Sequence, residues 1–564
     1  MISPSDSDID DTNSTDELSA HYYLGNFVEL IDTVEAQYGD LLLSPEKELI
    51  AGFRALNHAA QCLYVRLISR QGPLFRLEKL VYDEIGPLDE PLRELFVSGL
   101  ASDAQRSTIA ELGKVFTRAE LGKTFGDTVD CPKSVRKAQL LEALEQLDLS
   151  PTQLCHAISD GADARLLRIC GSDSVVVLQL LFFGNTRQSL TDFVLSDLGV
   201  VNYFPYRLDR EGRLFESRAA LDEYIVCGLF SERFYALVDT GDREGISALA
   251  LEMLGVDISF VTSRRRWAKI CNRVARELER SLEFTAALAL YQRSETHPAR
   301  ERTARILESK KEWPKVTALC EEIQSAPWCE AEYEAASRIH ARAARIVCKD
   351  SVPRSKDCFD EFGLLLPLTD LSVEQSVADA LRNQWASVHF LENKLMNTLF
   401  GLAFWEQIFM SVPGVFHNPY QSVPADMYDG HFRERRKSEL EARMALLAEV
   451  DLREELNRAR ALYENYQCRW VDWHRVSAEI QDAALTVIPA EHLLAIWQRQ
   501  LFDPRENRNG FPDLIAFGES PGDYRMIEVK APGDRLQDNQ KRWLRYFAQH
   551  NMPASVAWVD WCDD

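Results

Sequence analysis

No Cys-x-x-Cys pair occurs among the 12 cysteines of this chain. They stand scattered from Cys62 to Cys562, which excludes a zinc ribbon or a secreted disulfide framework and predicts a reducing compartment. No apolar run is long enough for a membrane: the longest, Val175 to Phe183, is interrupted by Gln179 and falls well short of the ~20 residues a spanning helix needs. The start, Met1 to Asp8, has neither a positive leader nor an apolar core, so no signal peptide is expected. Basic residues are also in deficit, 64 Lys and Arg against 88 Asp and Glu, for a formal net charge of -24. A surface this acidic repels phosphate backbones, so any contact with nucleic acid must come from local basic patches. Together these absences predict a soluble intracellular protein with no membrane partner.

At 564 residues the chain is too long for one core, and its 46% hydrophobic content supports three to four domains. The chemistry gathers near its end. Phe511 to Phe517 and Tyr524 to Ala531 are short and largely apolar, separated by the turn-forming Gly518-Glu519-Ser520-Pro521-Gly522, a pattern that predicts a β-hairpin. A side-chain period of two places Glu528 and Lys530 on one face and turns Val529 into the core. Asp513 on the first strand then faces Glu528, and the two carboxylates can share a hard divalent cation, with the Val529 carbonyl as a third oxygen. Lys530, one strand step away, is placed to orient or deprotonate an attacking water and to offset phosphate charge. A surface hairpin carrying an ion pair would produce the same bare pattern.

The surrounding residues narrow this. Pro512-Asp513, Glu528-Val529-Lys530, and then Gln540 and Trp543 on an expected helix from Gln537 to His550 resemble the signature of the VRR-NUC branch of the PD-(D/E)xK nucleases. Upstream, Val388 to Met410 reads as one buried helix, with Leu391, Leu395, Met396, Leu399, Leu402 and Ala403 at helical spacing. Glu392 would fall on its inward stripe, where a carboxylate must be paired or metal-bound, or would serve as a helix N-terminal charge. Glu406, more than three turns on, reads as a surface or structural acid.

Glu392, the run Thr398 to Phe409, Val412-Pro413-Gly414-Val415-Phe416 and Arg435-Arg436 resemble the Fanconi anaemia-associated nucleases, structure-specific DNA repair enzymes. The resemblance implies that Glu392 joins Asp513, Glu528 and Val529 in holding Mg²⁺ or Mn²⁺, that Gln540 supports them, and that Arg435 and Arg436 meet DNA. It implies cleavage of 5′ flap DNA, with a possible 5′-to-3′ exonuclease step, in repair that includes interstrand cross-links. No Cys/His-rich ubiquitin-binding finger precedes these segments, which suggests a minimal, bacterial version. Such a protein would sit in the cytoplasm with the nucleoid; a eukaryotic one would be nuclear. Two other readings stay open: an inert repair scaffold binding branched DNA and protein, and a general restriction or phage-type nuclease.

Five regions are expected. Residues 1–20 hold six acids and no base, and read as a disordered tail. Residues 21–100 form a first globular unit in which Cys62 to Lys79 runs from helix into turn and strand, resembling the family's DNA-contacting region; Arg66, Arg70, Arg76 and Lys79 are its candidate phosphate ligands. Residues 101–235 include Glu120 to Gly126 and Lys133 to Leu144, similar to a two-helix SAP module, with Lys123 and Lys137 as candidates; a plain helical hairpin fits as well. Val175 to Phe183 reads as a buried strand or helix. Residues 236–370 are helical and carry a repeat at offset 29: Arg276, Leu278, Glu279, Glu283, Phe284, Ala289 and Leu290 recur as Arg305, Leu307, Glu308, Glu312, Trp313, Ala318 and Leu319. This predicts a TPR-like array open to protein partners. Arg264-Arg265-Arg266, Lys269, Arg273 and Arg276 make its densest basic cluster, a candidate for terminal or single-strand phosphate. Residues 371–564 form the nuclease domain, an α/β fold with a small mixed sheet ending on a strand near Ala554 to Asp560.

Overall fold

The computed structural model describes residues 21–70, 72–104, 107–125, 135–147, 150–162, 164–185, 188, 202–347 and 357–562. The expected tail at 1–20, the segment 126–134 and the last two residues lie outside these. The chain divides into two units, Met1–Val201 and Asn202–Asp564.

In the first unit, helices Tyr22–Tyr38, Ser44–Ala55 and His58–Ile68 bury Phe27, Leu30, Phe53 and Tyr64. Asn57 starts the third by accepting from Ala60 N at 2.9 Å, satisfying an amide the helix leaves open. Strands β1 (Leu74–Arg76), β2 (Ala101–Asp103) and β3 (Leu166–Ile169) pair antiparallel in the order β1-β3-β2. β3 follows four small helices between Ile109 and Ala162, packed around Leu112, Phe116, Leu121, Leu140 and Leu144. Those helices are therefore an insertion, and the first globular unit extends past residue 100, because its sheet needs β3 as the central strand. Val175 to Phe183 lies in a helix, Ser172–Phe183, packed on the first two helices.

The second unit opens with helices from Arg218–Thr240 to Glu330–Val347. The repeat has a backbone counterpart: Leu282 (φ 64°) and Lys311 (φ 59°) both break a helix in the left-handed region, and Glu283 N and Glu312 N reach back to Leu278 O and Leu307 O. Each motif ties itself to a later helix by its repeated acid, Glu279 to Arg302 and Glu308 to Arg342 at 2.8 Å.

The remaining strands are β4 (Asn202–Tyr203), β5 (Asp360–Pro367), β6 (Ser387–Phe390), β7 (Tyr466–Gln467), β8 (Leu514–Phe517), β9 (Tyr524–Lys530) and β10 (Ala554–Cys562). β4 and β7 form a two-residue ladder, and the others a mixed sheet in the order β5-β10-β9-β8-β6, in which β10 runs parallel to both neighbours and β6, β8 and β9 alternate. β5 lies upstream of the expected domain start at residue 371 yet belongs to the same sheet, since eight of its residues pair with β10. One face of the sheet packs Ile527, Val529, Ala557 and Val559 against the Val373–Leu381 helix. The other joins a large helical core around Leu399, Phe404, Trp405, Trp497 and Trp543.

The single helix expected over Val388–Met410 is instead a strand and two helices. β6 pairs with β8, Lys394–Ala403 forms the main helix and Trp405–Phe409 a short one. The run is apolar throughout, so periodicity hides the strand, whose pairing depends on β8 more than a hundred residues away. Gly401 lets the main helix press close to its neighbour: a Cβ there would lie 2.6 Å from Val471 Cγ2.

Candidate active site

Asp513 stands immediately before β8, and its position is fixed from several sides. Gly510 precedes it with φ 91°, where a Cβ would approach the Asn539 backbone to 2.9 Å, so only glycine makes this turn without displacement. Phe511 N donates to Asn393 Oδ1 at 3.1 Å, Asn397 Nδ2 donates to Arg508 O at 2.9 Å, and Trp543 Nε1 donates to Asn509 O at 3.1 Å. Phe511 stacks on Trp543 at 4.1 Å between centroids. The loop bearing Asp513 is thus clamped between the Lys394–Ala403 helix and the Asp538–Gln549 helix.

Val529 N donates to Asp513 Oδ2 at 2.9 Å, so the side chain does face the second strand. Glu528 and Lys530 share the opposite face from Val529, whose side chain enters the core. Glu528 is 1% exposed; its Oε1 accepts from Lys530 Nζ at 2.6 Å and from Gln540 Nε2 at 2.5 Å. Its Oε2 is buried and receives no N–H or hydroxyl donor among the described residues, the Asp513 carboxyl being the acidic neighbour of this side chain. Burial, then the nearby Asp513 charge, pushes the Glu528 carboxyl up to about 8. Burial also raises Asp513, with charge from Glu374 and Glu392 adding to it against the Val529 amide and Lys530. Two carboxyls in such a pocket hold one proton between them until a cation displaces it. An orphaned carboxylate oxygen in an all-oxygen donor set suits a hard divalent cation.

Glu392 is placed differently from expectation. It is exposed, with φ 40°, at the corner between β6 and the Lys394–Ala403 helix rather than on an inward stripe. Two amides hold that corner: Leu391 N and Glu392 N both donate to Asp513 O, at 3.1 and 2.9 Å. Glu392 Oε1 accepts from Asn393 Nδ2 at 2.7 Å. Among the described residues no three His, Cys, Asp or Glu side chains close into a ligand cluster, so Asp513 and Glu528 form the near pair and Glu392 flanks it. Glu374 is the neighbour that the sequence reading missed. Its signal was the capping box Ser372-Val373-Glu374-Gln375, which opens the Val373–Leu381 helix and places this acid in its first turn. Glu406 is exposed and accepts from Tyr463 Oη at 3.2 Å, a structural acid as expected.

The basic candidates separate by burial. Arg436 is 0% exposed and pairs with Asp426 at 2.8 Å while donating to Gln407 O at 3.0 Å, so it braces the core and cannot meet DNA. Arg76 is 7% exposed between Glu78 and Glu120, both at 2.5 Å, and is corrected likewise. Arg66 pairs with Glu84 at 2.6 Å beneath Tyr23, Arg265 pairs with Asp429, and Arg435 donates to Pro413 O. Arg266 is half-buried over the Tyr224 ring, and Arg273 lies over Tyr235. Arg70, Lys79, Lys123 and Arg264 are exposed, Lys137 half-exposed, and these keep heads that solvent can reach.

A mixed sheet carrying Pro-Asp at one strand start and Glu-Val-Lys on the next, with a Gln on the following helix bonded to that Glu, is the frame of a VRR-NUC nuclease, and the VRR-NUC domain profile matches residues 447–561. Two more profiles match upstream, a FAN1 HTH domain at 21–102 and a Fanconi anemia-associated nuclease SAP domain at 108–156. A Fanconi-associated nuclease 1 homolog of Pseudomonas aeruginosa is 34% identical over 553 residues, covering 96% of both chains. One from Arabidopsis thaliana is 24% identical over 93% of this chain but 65% of its own length. A crystal structure of paFAN1 bound to 2-nucleotide 5′ flap DNA with a gap is similar at TM-score 0.81 and 33% identity, covering 97% of this chain and 99% of that one. The chain belongs to the Fanconi-associated nuclease 1 family and is a DNA nuclease. Among the described residues no helix is long and apolar enough to cross a membrane.

Proposed function

We propose that this protein cuts branched DNA at a 5′ flap, with a following 5′-to-3′ exonuclease step, and acts in the repair of lesions such as interstrand cross-links. The observation that carries this reading is the 5′ flap DNA held by paFAN1, a relative aligned over nearly the whole of both chains. Asp513, Glu528 and the Val529 carbonyl would hold Mg²⁺ or Mn²⁺, with Glu392 joining from its exposed corner. An ion held by these residues would supply Lewis-acid polarisation of a phosphate and a lowered pKa for a water. Lys530, held by Glu528, is positioned to orient that water and to offset charge on the phosphate. Gln540 keeps the Glu528 carboxylate turned toward Asp513 by occupying Oε1.

In the same reading Arg70, Lys79, Lys123, Lys137 and Arg264 serve as phosphate contacts, and the helical repeats form a TPR-like array. The protein would work in the cytoplasm beside the nucleoid. The deciding assay uses labelled 5′ flap, 3′ flap, single-stranded and blunt duplex DNA with Mg²⁺, Mn²⁺ or chelator. Selective cutting of the 5′ flap is expected, and Asp513→Ala should abolish it while flap binding stays nearly intact. Equal cutting of all four substrates would refute the flap reading; metal-dependent cleavage by Asp513→Ala would refute the site.

A further inference from the structure

A cavity of about 440 Å³ opens on the helical part of the second unit, remote in sequence from the nuclease strands. Its floor is apolar: Phe234, Tyr235 and Val238, from the last turns of the Arg218–Thr240 helix, with Pro298 opposite. Tyr235 and Val238 remain 45% and 39% exposed, more than an ordinary packed face would leave. The wall is cationic. Arg273, Arg276 and Arg280 come from the Val261–Arg280 helix and Arg302 from Ala299–Ser309.

These four guanidinium groups face two carboxylates. Glu279 takes Arg302 and, at 2.8 Å, Arg276; Glu277 takes Arg280. Arg273 makes no ion pair among the described residues and lies 5.5 Å over the Tyr235 ring. The cavity therefore keeps a positive excess beside an apolar floor. One further wall group distinguishes ligand classes. Asn272 is 7% exposed, and its Nδ2 is committed to the Thr296 carbonyl at 3.0 Å, with the His297 carbonyl at 3.4 Å. That commitment fixes the amide orientation and leaves Oδ1 a buried acceptor with no partner among the described residues. Such an atom costs stability until a donor reaches it. A nucleic-acid phosphodiester offers no donor, whereas a peptide backbone N–H does.

We propose that this cavity is a docking site for a short acidic peptide segment of a partner protein, with one large apolar side chain seated on Phe234, Tyr235 and Val238. The peptide carboxylates lie along Arg273 and Arg280, and a backbone N–H serves Asn272 Oδ1. Apolar burial supplies the anchor and the arginines select an acidic sequence over a neutral one.

The test uses the full chain and fluorescence anisotropy of a fluorescein-labelled peptide of aspartates ending in one phenylalanine. Comparison probes carry serine for the phenylalanine or asparagine for the aspartates, and a labelled oligothymidine of equal length reports nucleic-acid binding. Saturable binding of the acidic peptide is expected, weakened about tenfold by either peptide change. Val238→Glu, which sets a like charge on the floor, should weaken it by about tenfold, and Arg280→Glu by several-fold. Both positions are exposed, and the melting temperature and 5′ flap cleavage of each variant, read on the same preparations, should stay at the unsubstituted level. Absence of saturable peptide binding, or binding unchanged in Val238→Glu, overturns the proposal. So does oligothymidine binding more tightly than the peptide and being lost in the same variants, which would make the cavity a nucleic-acid groove.

Discussion

Cation uptake at the Asp513–Glu528 pair should expel a proton, and the amount follows from the pocket. Glu528 is 1% exposed, and burial together with Asp513 pushes its carboxyl up to about 8. At pH 7 such a group is about nine-tenths protonated, so binding a divalent cation, which needs the carboxylate, releases ~0.9 proton. Apparent affinity should then fall about tenfold for each pH unit below 8 and level off above it. Folding stability without metal moves in the opposite direction with pH. The folded chain binds this proton more tightly than the unfolded one, so stability falls, by up to ~1.4 kcal/mol per pH unit, as pH rises from the unfolded value of 4.5 through the folded value of about 8. Calorimetric titration of the full chain with Mn²⁺ in buffers of different ionisation enthalpy measures proton release directly. Glu528→Gln should eliminate both that release and cleavage. Wild-type affinity that is flat between pH 6 and pH 8, with no proton released at pH 7, would refute the shared-proton reasoning.

Arg436→Ala should destabilise the second unit by about 3 kcal/mol, because it leaves the 6%-exposed Asp426 with only the more distant Arg435, at 3.4 Å, for a cation; thermal melting checks this, and weakened flap binding with unchanged melting would return Arg436 to the DNA surface. Trp543→Ala should cost about 3–5 kcal/mol by removing a fully buried ring stacked on Phe511 and should free the Asp513 loop, lowering kcat as well as Tm. Gln540→Ala removes one of two donors to Glu528 Oε1, and a loss of about 10–100-fold in metal affinity is expected with flap binding retained, measured by titration and anisotropy. Glu392→Ala should abolish cleavage while leaving Tm within about 0.5 kcal/mol equivalent of wild type, since the side chain is exposed and its local role is carried by backbone amides.

The hairpin was legible because its information is local. Alternation in Tyr524–Lys530 fixes which side chains share a face, and a Gly- and Pro-rich turn fixes the pairing partner. Gln540 and Trp543 were legible as a motif, and their contacts with Glu528 and Asn509 follow from it. What the sequence hid is non-local. β6 reads as helix because its apolar residues continue into the Lys394–Ala403 helix without a break, and only β8 makes it a strand. β3 and β5 join sheets across intervening helices, so boundaries drawn at residues 100 and 370 cut through both sheets. Burial of Arg76 and Arg436 was equally invisible, because an arginine held by a distant carboxylate is spelled like one that faces solvent.

The strand order β5-β10-β9-β8-β6 also sets a timetable for synthesis. The ribosome delivers β5 and β6 early, yet β5 has nothing to pair with until β10 emerges some two hundred residues later. Asp513 and Glu528 arrive on β8 and β9 before β10 has covered the far edge of β9. A growing chain therefore carries its acids on an unfinished sheet, and the nuclease acquires a rigid cutting site only when translation of the sheet is complete.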